Sequence, residues 1–388
     1  MTTSRTSQAV CQGVIGSDKR QRVEFDWWLG GVALILLCLG LVMVASASIS
    51  TAERRLESPF HYFNRQLIFV GLGLLCATIT LQIDLRVWRK LSPWLLVFAM
   101  VLLALVLVPG IGHEVNGATR WIRIGGISFQ PSELMKLSLS LYLAGYLVRR
   151  GEEVRSLLSG FVKPIIVLSL IAGLLLLEPD FGATVVLFSA ALGMMFLGGV
   201  PFLSFLGWLT LVLCFLGSIV LAAPYRMERL LTFVDPWADP FGSGFQLTQA
   251  LIAIGRGEWF GVGLGNSVQK LFYLPEAHTD FLFAVLAEEL GLVGMALVIG
   301  LFSFLVWRAF YIANRAHFLG NLFGSYLAYG LGLLIGFQAF VNIGVNMGIL
   351  PTKGLTLPLM SYGGSSILIN CTLVALLLRI DQESRRTP

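Results

Sequence analysis

Apolar and polar stretches alternate along the 388-residue chain so that ten long apolar runs are separated by polar segments. A hydrocarbon core of about 30 Å takes about 20 helical residues to cross. On that ruler the runs predict spans over residues 27–48, 65–83, 93–109, 132–149, 163–178, 181–199, 202–222, 281–306, 320–344 and 357–378. Glu178-Pro179-Asp180 reads as a tight turn between two of them, because proline and two carboxylates are hard to hold inside one buried helix. The expected fold is an all-α polytopic membrane protein with ten transmembrane helices. It comprises a tail over 1–26, a membrane domain over 27–378 and a tail over 379–388, with a long loop over 223–280 between helices 7 and 8. Within that loop, Phe245-Gln-Leu-Thr-Gln-Ala-Leu-Ile-Ala-Ile has helical apolar spacing, and Trp237, Trp259 and Phe260 suit a membrane interface. The loop is therefore expected to fold back over the mouth of the bundle. No repeat of about 20 to 50 residues and no inverted half is visible.

Composition agrees with this pattern: 56% hydrophobic residues, 13% charged and a mean hydropathy of +0.81 lie outside the range of a soluble domain. The net charge of +5 would suit nucleic acid if it were clustered, but the basic residues sit in short loops between apolar runs. Counted by side, sixteen Lys and Arg fall in one set of segments and nine in the other, longer set. The positive-inside rule then places both termini in the cytoplasm and the segments 110–131, 223–279 and 345–356 outside. Ala45-Ser46-Ala47 resembles a signal-peptide cleavage site, but the run Trp27 to Val44 is longer than an h-region of roughly 7 to 15 residues. It reads as a retained first span, and no arginine-rich transit peptide precedes it.

Chemistry is sparse. Cys11, Cys38, Cys76, Cys214 and Cys371 show no CxxC spacing and no pair in an external loop, and His61, His113, His278 and His317 have no ligand spacing. Gly255 to Gly265 is glycine-rich, but no strand precedes it, which excludes a dinucleotide fingerprint. There is no Walker A motif.

The densest polar stretch is Tyr273-Leu-Pro-Glu-Ala-His-Thr-Asp280-Phe, where Glu276, His278 and Asp280 meet the start of the eighth span. Asp280 can cap that helix through its first free N–H groups or serve as a base, and its position allows both. Glu288 and Glu289 follow inside the span, about 100° apart, so at least one needs a polar cavity or a cation, for which Lys136 is a candidate. Glu133 and Lys136 are spaced to pair with each other. Arg120, in Asn116-Gly-Ala-Thr-Arg120-Trp, suits a bidentate phosphate contact, although interfacial arginines more often meet lipid head groups. Lys353, in Pro351-Thr-Lys-Gly-Leu-Thr-Leu-Pro358, and Ser361, in Ser361-Tyr-Gly-Gly-Ser-Ser366, put a cation and a small-residue turn before the last span. Such a turn can hold a phosphate or pack helices.

Taken in order, these motifs resemble the SEDS family of cell-wall proteins, the FtsW/RodA/SpoVE group, over almost the whole chain. Tyr273 to Phe281, Ala287-Glu-Glu-Leu-Gly291 and Leu350 to Pro358 look more like the FtsW branch than the RodA branch. Arg120-Trp121, Gln130-Pro-Ser-Glu-Leu134, Glu178-Pro-Asp-Phe-Gly182 and Ser361-Tyr-Gly-Gly364 agree. The resemblance implies an inverting peptidoglycan glycosyltransferase that polymerises lipid II during septal wall synthesis in the bacterial inner membrane. Asp280 would be the general base, and undecaprenyl pyrophosphate would leave against Arg120, Lys136 and Lys353, with Ser361 nearby. Glu276 and His278 would support the base, and Glu133, Glu288 and Glu289 would be mainly structural. No cofactor is required, and a divalent cation, Mg2+ or Mn2+, is compatible with the leaving-group role although no dedicated cage is visible. The implied partners are a class B penicillin-binding transpeptidase (FtsI-like) and other divisome membrane proteins. The alternatives are a lipid II flippase, a RodA-like elongation polymerase and a non-catalytic scaffold.

Overall fold

The computed structural model describes residues 26–386 except 116, 126, 157, 222–231, 272 and 353. Most of it is helix: α1 (Trp27–Leu56), α2 (His61–Gln82), α3 (Leu85–Val106), α4 (Pro131–Ser156), α5 (Leu158–Leu177), α6 (Phe181–Leu197), α7 (Phe202–Leu221), α8 (Phe245–Gly257), α9 (Leu282–Phe318), α10 (Leu322–Asn346) and α11 (Gly364–Arg386). Each apolar run read as a span is largely helical, but among the described residues only α1, α2, α3, α9, α10 and α11 are long and apolar enough to cross a membrane. The helix α4 is as long, but Glu133, Lys136 and four serines dilute its apolar surface. The segment 357–363, expected inside the last span, is instead a turn ahead of α11, where Pro358 and Gly363 do not sustain a helix.

One expectation is corrected. The chain is not all-α: a three-stranded antiparallel sheet, β1 (Gly112–Val115), β2 (Ala118–Ile124) and β3 (Ile127–Phe129), occupies the loop before α4. The cause is local. Asn116-Gly117 and Gly125-Gly126 separate short runs rich in β-branched and aromatic residues, a hairpin signal, and Gly117 and Gly125 have φ of +77° and +57°. Gly112 pairs with Ile122, and Ile122 in turn pairs with Phe129. Alternate residues of a strand share a face, so the face of β2 that buries Ala118 and Ile122 also carries Arg120 toward the bundle.

The interior is formed by α4, α10 and α11; in α11, 83% of the most apolar window is buried, against 28% in α2 and α3, which lie at the periphery. The long loop after α7 contains α8, the helix expected from its apolar spacing, packed on α9 and α10 through Leu247, Ala250 and Ala253. The helix α9 is broken at Gly291 (φ +65°, ψ −162°). Chain segment 258–263 enters the break: Val262 N–H and Gly263 N–H donate to the carbonyls of Glu288 and Glu289, while Leu292 N–H and Val293 N–H donate to those of Glu258 and Trp259. A Cβ on Gly291 would lie 2.4 Å from the Gly261 backbone nitrogen, and one on Gly261 would lie 2.1 Å from the Glu289 carbonyl oxygen. Only glycine allows this backbone-on-backbone crossing, which re-satisfies the hydrogen bonds the helix gives up.

Candidate active site

Asp280 ends the long loop. The turn before it is closed by bonds from Thr279 N–H and Phe281 N–H to the Glu276 carbonyl, and Glu276 itself sits at φ +57°. The α9 N-cap is Phe281, which supplies no side-chain acceptor. Asp280 does not fill that role either. The Ala284 N–H is shared between the Phe281 carbonyl and Oδ1 of Asn346, each at 3.1 Å. Two amide side chains of α10 hold the Asp280 carbonyl: Asn342 Nδ2 at 2.9 Å and Asn346 Nδ2 at 3.0 Å. The backbone is thereby fixed, while among the described residues no hydrogen bond engages the carboxyl. It lies against Gly354, where an added Cβ would come within 3.2 Å of Oδ2. Burial pushes the Asp280 carboxyl up to about 7, reinforced by Glu276 and Asp180 and opposed by Arg120.

Arg120 reaches from β2 to the turn between α5 and α6, its Nε donating to the Glu178 carbonyl at 3.2 Å and its Nη2 to the Pro179 carbonyl at 2.5 Å. Asp180 caps α6 by accepting from Ala183 N–H and also accepts from Ser132 Oγ of α4. Glu178 is wholly buried, and neither carboxyl oxygen has a hydrogen-bond partner among the described residues. Burial, then Asp180, pushes it up to about 9 against the pull of Arg120, so at neutral pH it is an uncharged acid. Asp280, the Arg120 guanidinium and the carboxyls of Glu178 and Asp180 are thus brought near one another from three separate segments: the loop before α9, strand β2 and the turn between α5 and α6.

A family model described as "Cell cycle protein", for FtsW, RodA and SpoVE, matches residues 27–386. The chain belongs to the FtsW/RodA/SpoVE family. A "Probable peptidoglycan glycosyltransferase FtsW" of Nitrosococcus halophilus is 57% identical over 93% of both chains. One of Thioalkalivibrio sulfidiphilus is also 57% identical, over 94% of this chain and 90% of its own. Among solved structures, a chain of a peptidoglycan synthase complex that coordinates polymerisation and crosslinking superposes with a TM-score of 0.77 at 33% identity, covering 93% of this chain and 98% of its own. The rod shape determining protein RodA of Thermus thermophilus does so with a TM-score of 0.68 at 31% identity, over 92% and 97%.

The remaining singled-out residues of this FtsW/RodA/SpoVE-family chain divide into those near Asp280 and those committed elsewhere. His278 is buried between the rings of Tyr62 and Tyr362, and its carbonyl accepts from Tyr362 N–H at 3.0 Å. Glu276 accepts from Thr279 Oγ1 at 2.8 Å. Lys136 is buried, paired with Glu133 at 2.7 Å as their spacing anticipates, and donates to Gln338 Oε1 at 2.7 Å. Its charge is thus spent within the bundle. Gln338 passes the connection on to the Thr356 carbonyl at 3.0 Å. Ser361 is buried, and its Oγ accepts from Leu357 N–H at 2.9 Å, stabilising the turn before α11. Lys353 lies outside the described residues.

Glu288 and Glu289, both fully buried, find cations other than Lys136. Glu289 pairs with Lys270 at 2.7 Å and accepts from Ser46 Oγ of α1, while Glu288 accepts from Val268 N–H, Gln269 N–H and Ser267 Oγ and lies 3.5 Å from Arg256. The two acids point to different partners, as their angular separation requires, and together they pin the long loop to α9 and α1. Sequence reasoning missed Gln338, Asn342 and Asn346. Their signal was an i, i+4, i+8 row of amides in an otherwise apolar helix, one face of α10 aimed at the site. Among the described residues no three His, Cys, Asp or Glu side chains are grouped to hold a metal ion.

Proposed function

We propose that this chain is an integral-membrane peptidoglycan glycosyltransferase that polymerises lipid II, with Asp280 as its general base. The observation that carries the reading is the Asp280 carboxyl: excluded from helix capping, near enough to Arg120 to feel its charge, and pushed by burial up to about 7. A base is most useful when its pKa lies near the working pH. The acceptor sugar's 4-hydroxyl gives its proton to the Asp280 carboxylate as its oxygen attacks the anomeric carbon of the donor. The bond from that carbon to the pyrophosphate breaks, and undecaprenyl pyrophosphate leaves. An α-linked donor becomes a β-1,4 bond, an inversion that needs one base and one displacement. Arg120 supplies positive charge toward the leaving group, and Lys353, singled out in the sequence, is assigned the same role. The buried Lys136 contributes through Glu133 and Gln338 by holding the 354–357 segment that faces Asp280.

On this reading the ten apolar helices all cross the membrane, both termini are cytoplasmic, and the site faces outward at the septum. The polymerase pairs there with a class B penicillin-binding transpeptidase. The likeness to a chain of a synthase complex and the relatives' names support the pairing and the division role. The test is polymerisation of lipid II in detergent by the protein with its transpeptidase, where transport across a bilayer has no meaning. Wild-type protein makes glycan polymer and Asp280→Asn makes none. Undiminished polymer from Asp280→Asn overturns the base assignment, and no polymer from wild type favours a flippase.

A further inference from the structure

The capping of α9 is unusual in where it comes from. A helix of this length normally has its first free N–H groups satisfied by the residue just ahead of it, and Asp280 stands one position before the N-cap, with a carboxylate suited to the task. Instead the side-chain acceptor, which shares the Ala284 N–H with the Phe281 carbonyl, is delivered across the bundle by Asn346, wholly buried near the end of α10. Its amide is fully used: Oδ1 accepts from Ala284 N–H at 3.1 Å, and Nδ2 donates to the Asp280 carbonyl at 3.0 Å and the Asn342 carbonyl at 2.8 Å. Turning the amide over would set its NH2 against an N–H and its oxygen against two carbonyls, so this orientation is the one that satisfies all three. Asn342, one turn earlier, donates to the same Asp280 carbonyl and to that of Leu355. It thereby ties the base to the segment that carries Gly354, the neighbour of the carboxyl.

We propose that Asn346, assisted by Asn342, is a positioning residue for the base: it caps α9 in place of Asp280, so that the Asp280 carboxylate stays in the cleft rather than folding onto the helix end. This rests on the assignment of Asp280 as base. The reason is competition. A carboxylate that accepts from free N–H groups at a helix N-terminus is stabilised in its ionised form, which lowers its basicity and turns it from the substrate. The groups that set the titration of Asp280 come from every side of the cleft: Glu276 on its own loop, Asp180 on the turn before α6 and Arg120 on β2. None of them lies on α10, so changing Asn346 leaves these charges in place.

The experiment measures the pH dependence of the polymerisation kcat for the protein with its transpeptidase and lipid II. The variants are Asn346→Leu, Asn346→Ser, Asn346→Asp and Asn342→Ala. In Asn346→Leu, which loses the acceptor, and Asn346→Ser, whose hydroxyl oxygen is one bond too short to reach the Ala284 N–H, the maximal rate is expected to fall about tenfold and the acid limb to move down by about one pH unit. Asn346→Asp keeps the acceptor and its limb stays at or above the wild-type position. Asn342→Ala lowers the rate without moving the limb. An acid limb that does not move in Asn346→Leu or Asn346→Ser, or that falls in Asn346→Asp as well, overturns the proposal. If Asn346→Leu does not fold, the smaller Asn346→Ser decides alone. A dead Asp280→Asn together with an unmoved limb in Asn346→Ser removes the positioning role and leaves the base intact. An active Asp280→Asn removes both.

Discussion

Replacing Asp280 by Asn should make the protein more stable as well as inactive. The carboxyl is displaced from an ordinary 3.8 to about 7, chiefly by burial. In the folded state it therefore binds a proton that the unfolded chain releases between about pH 4 and pH 7, so stability falls as pH rises through that window. A displacement of about 3 units at 1.36 kcal/mol per unit would cost the fold roughly 4 kcal/mol. Asp280 is partly exposed, so water screens part of this and about 2 kcal/mol is expected. Asparagine keeps the shape and never ionises. The difference between variant and wild type should be near zero below pH 4, grow through pH 7 and stay level above it. Denaturant-induced unfolding in detergent at pH 4, 6 and 8 measures it. An Asp280→Asn variant less stable than wild type at pH 8, or a gap that does not change with pH, would refute the account of burial as the source of the shift.

Other outcomes follow from the same geometry. With a base titrating near 7, the polymerisation rate should fall about tenfold per pH unit on the acid side of neutrality, seen in a kcat profile between pH 5 and 8. Glu178→Gln replaces a buried acid that is already uncharged with its neutral isostere, so activity should stay within about twofold of wild type, whereas a charged role for Glu178 predicts a large loss. Lys270→Met leaves Glu289 buried without its cation and should cost about 3 to 5 kcal/mol. The double variant Lys270→Met/Glu289→Leu should be more stable than that single variant, and a double-variant unfolding cycle reads the coupling.

Helix positions were legible in the chain because a long apolar run has few alternatives once water is excluded: its backbone must bond to itself. Each span expected between residues 27 and 378 falls largely within a helix, and α8 stands where its apolar spacing placed it. The sheet was missed although Asn116-Gly117 and Gly125-Gly126 signalled it, since the loop was judged by its charges rather than its turns. Of the site, Asp280 and Arg120 stood out because charged residues beside apolar helices are costly and need a reason.

What the sequence by itself determined was the family, the helical spans and the short run that holds Asp280, all of them written in contiguous residues. Its local reading left Asp280 balanced between capping and catalysis, and it left Lys136 open between the acids of α9 and Glu133. Only the tertiary structure shows which partners these groups meet. Lys136 is used by Glu133 and Gln338, Glu289 is met by Lys270, and the α9 N-terminus is met by Asn346, 62 residues beyond Ala284. A buried charge or N–H takes whichever partner packing brings within about 3 Å. That pairing depends on how helices cross rather than on how residues follow one another.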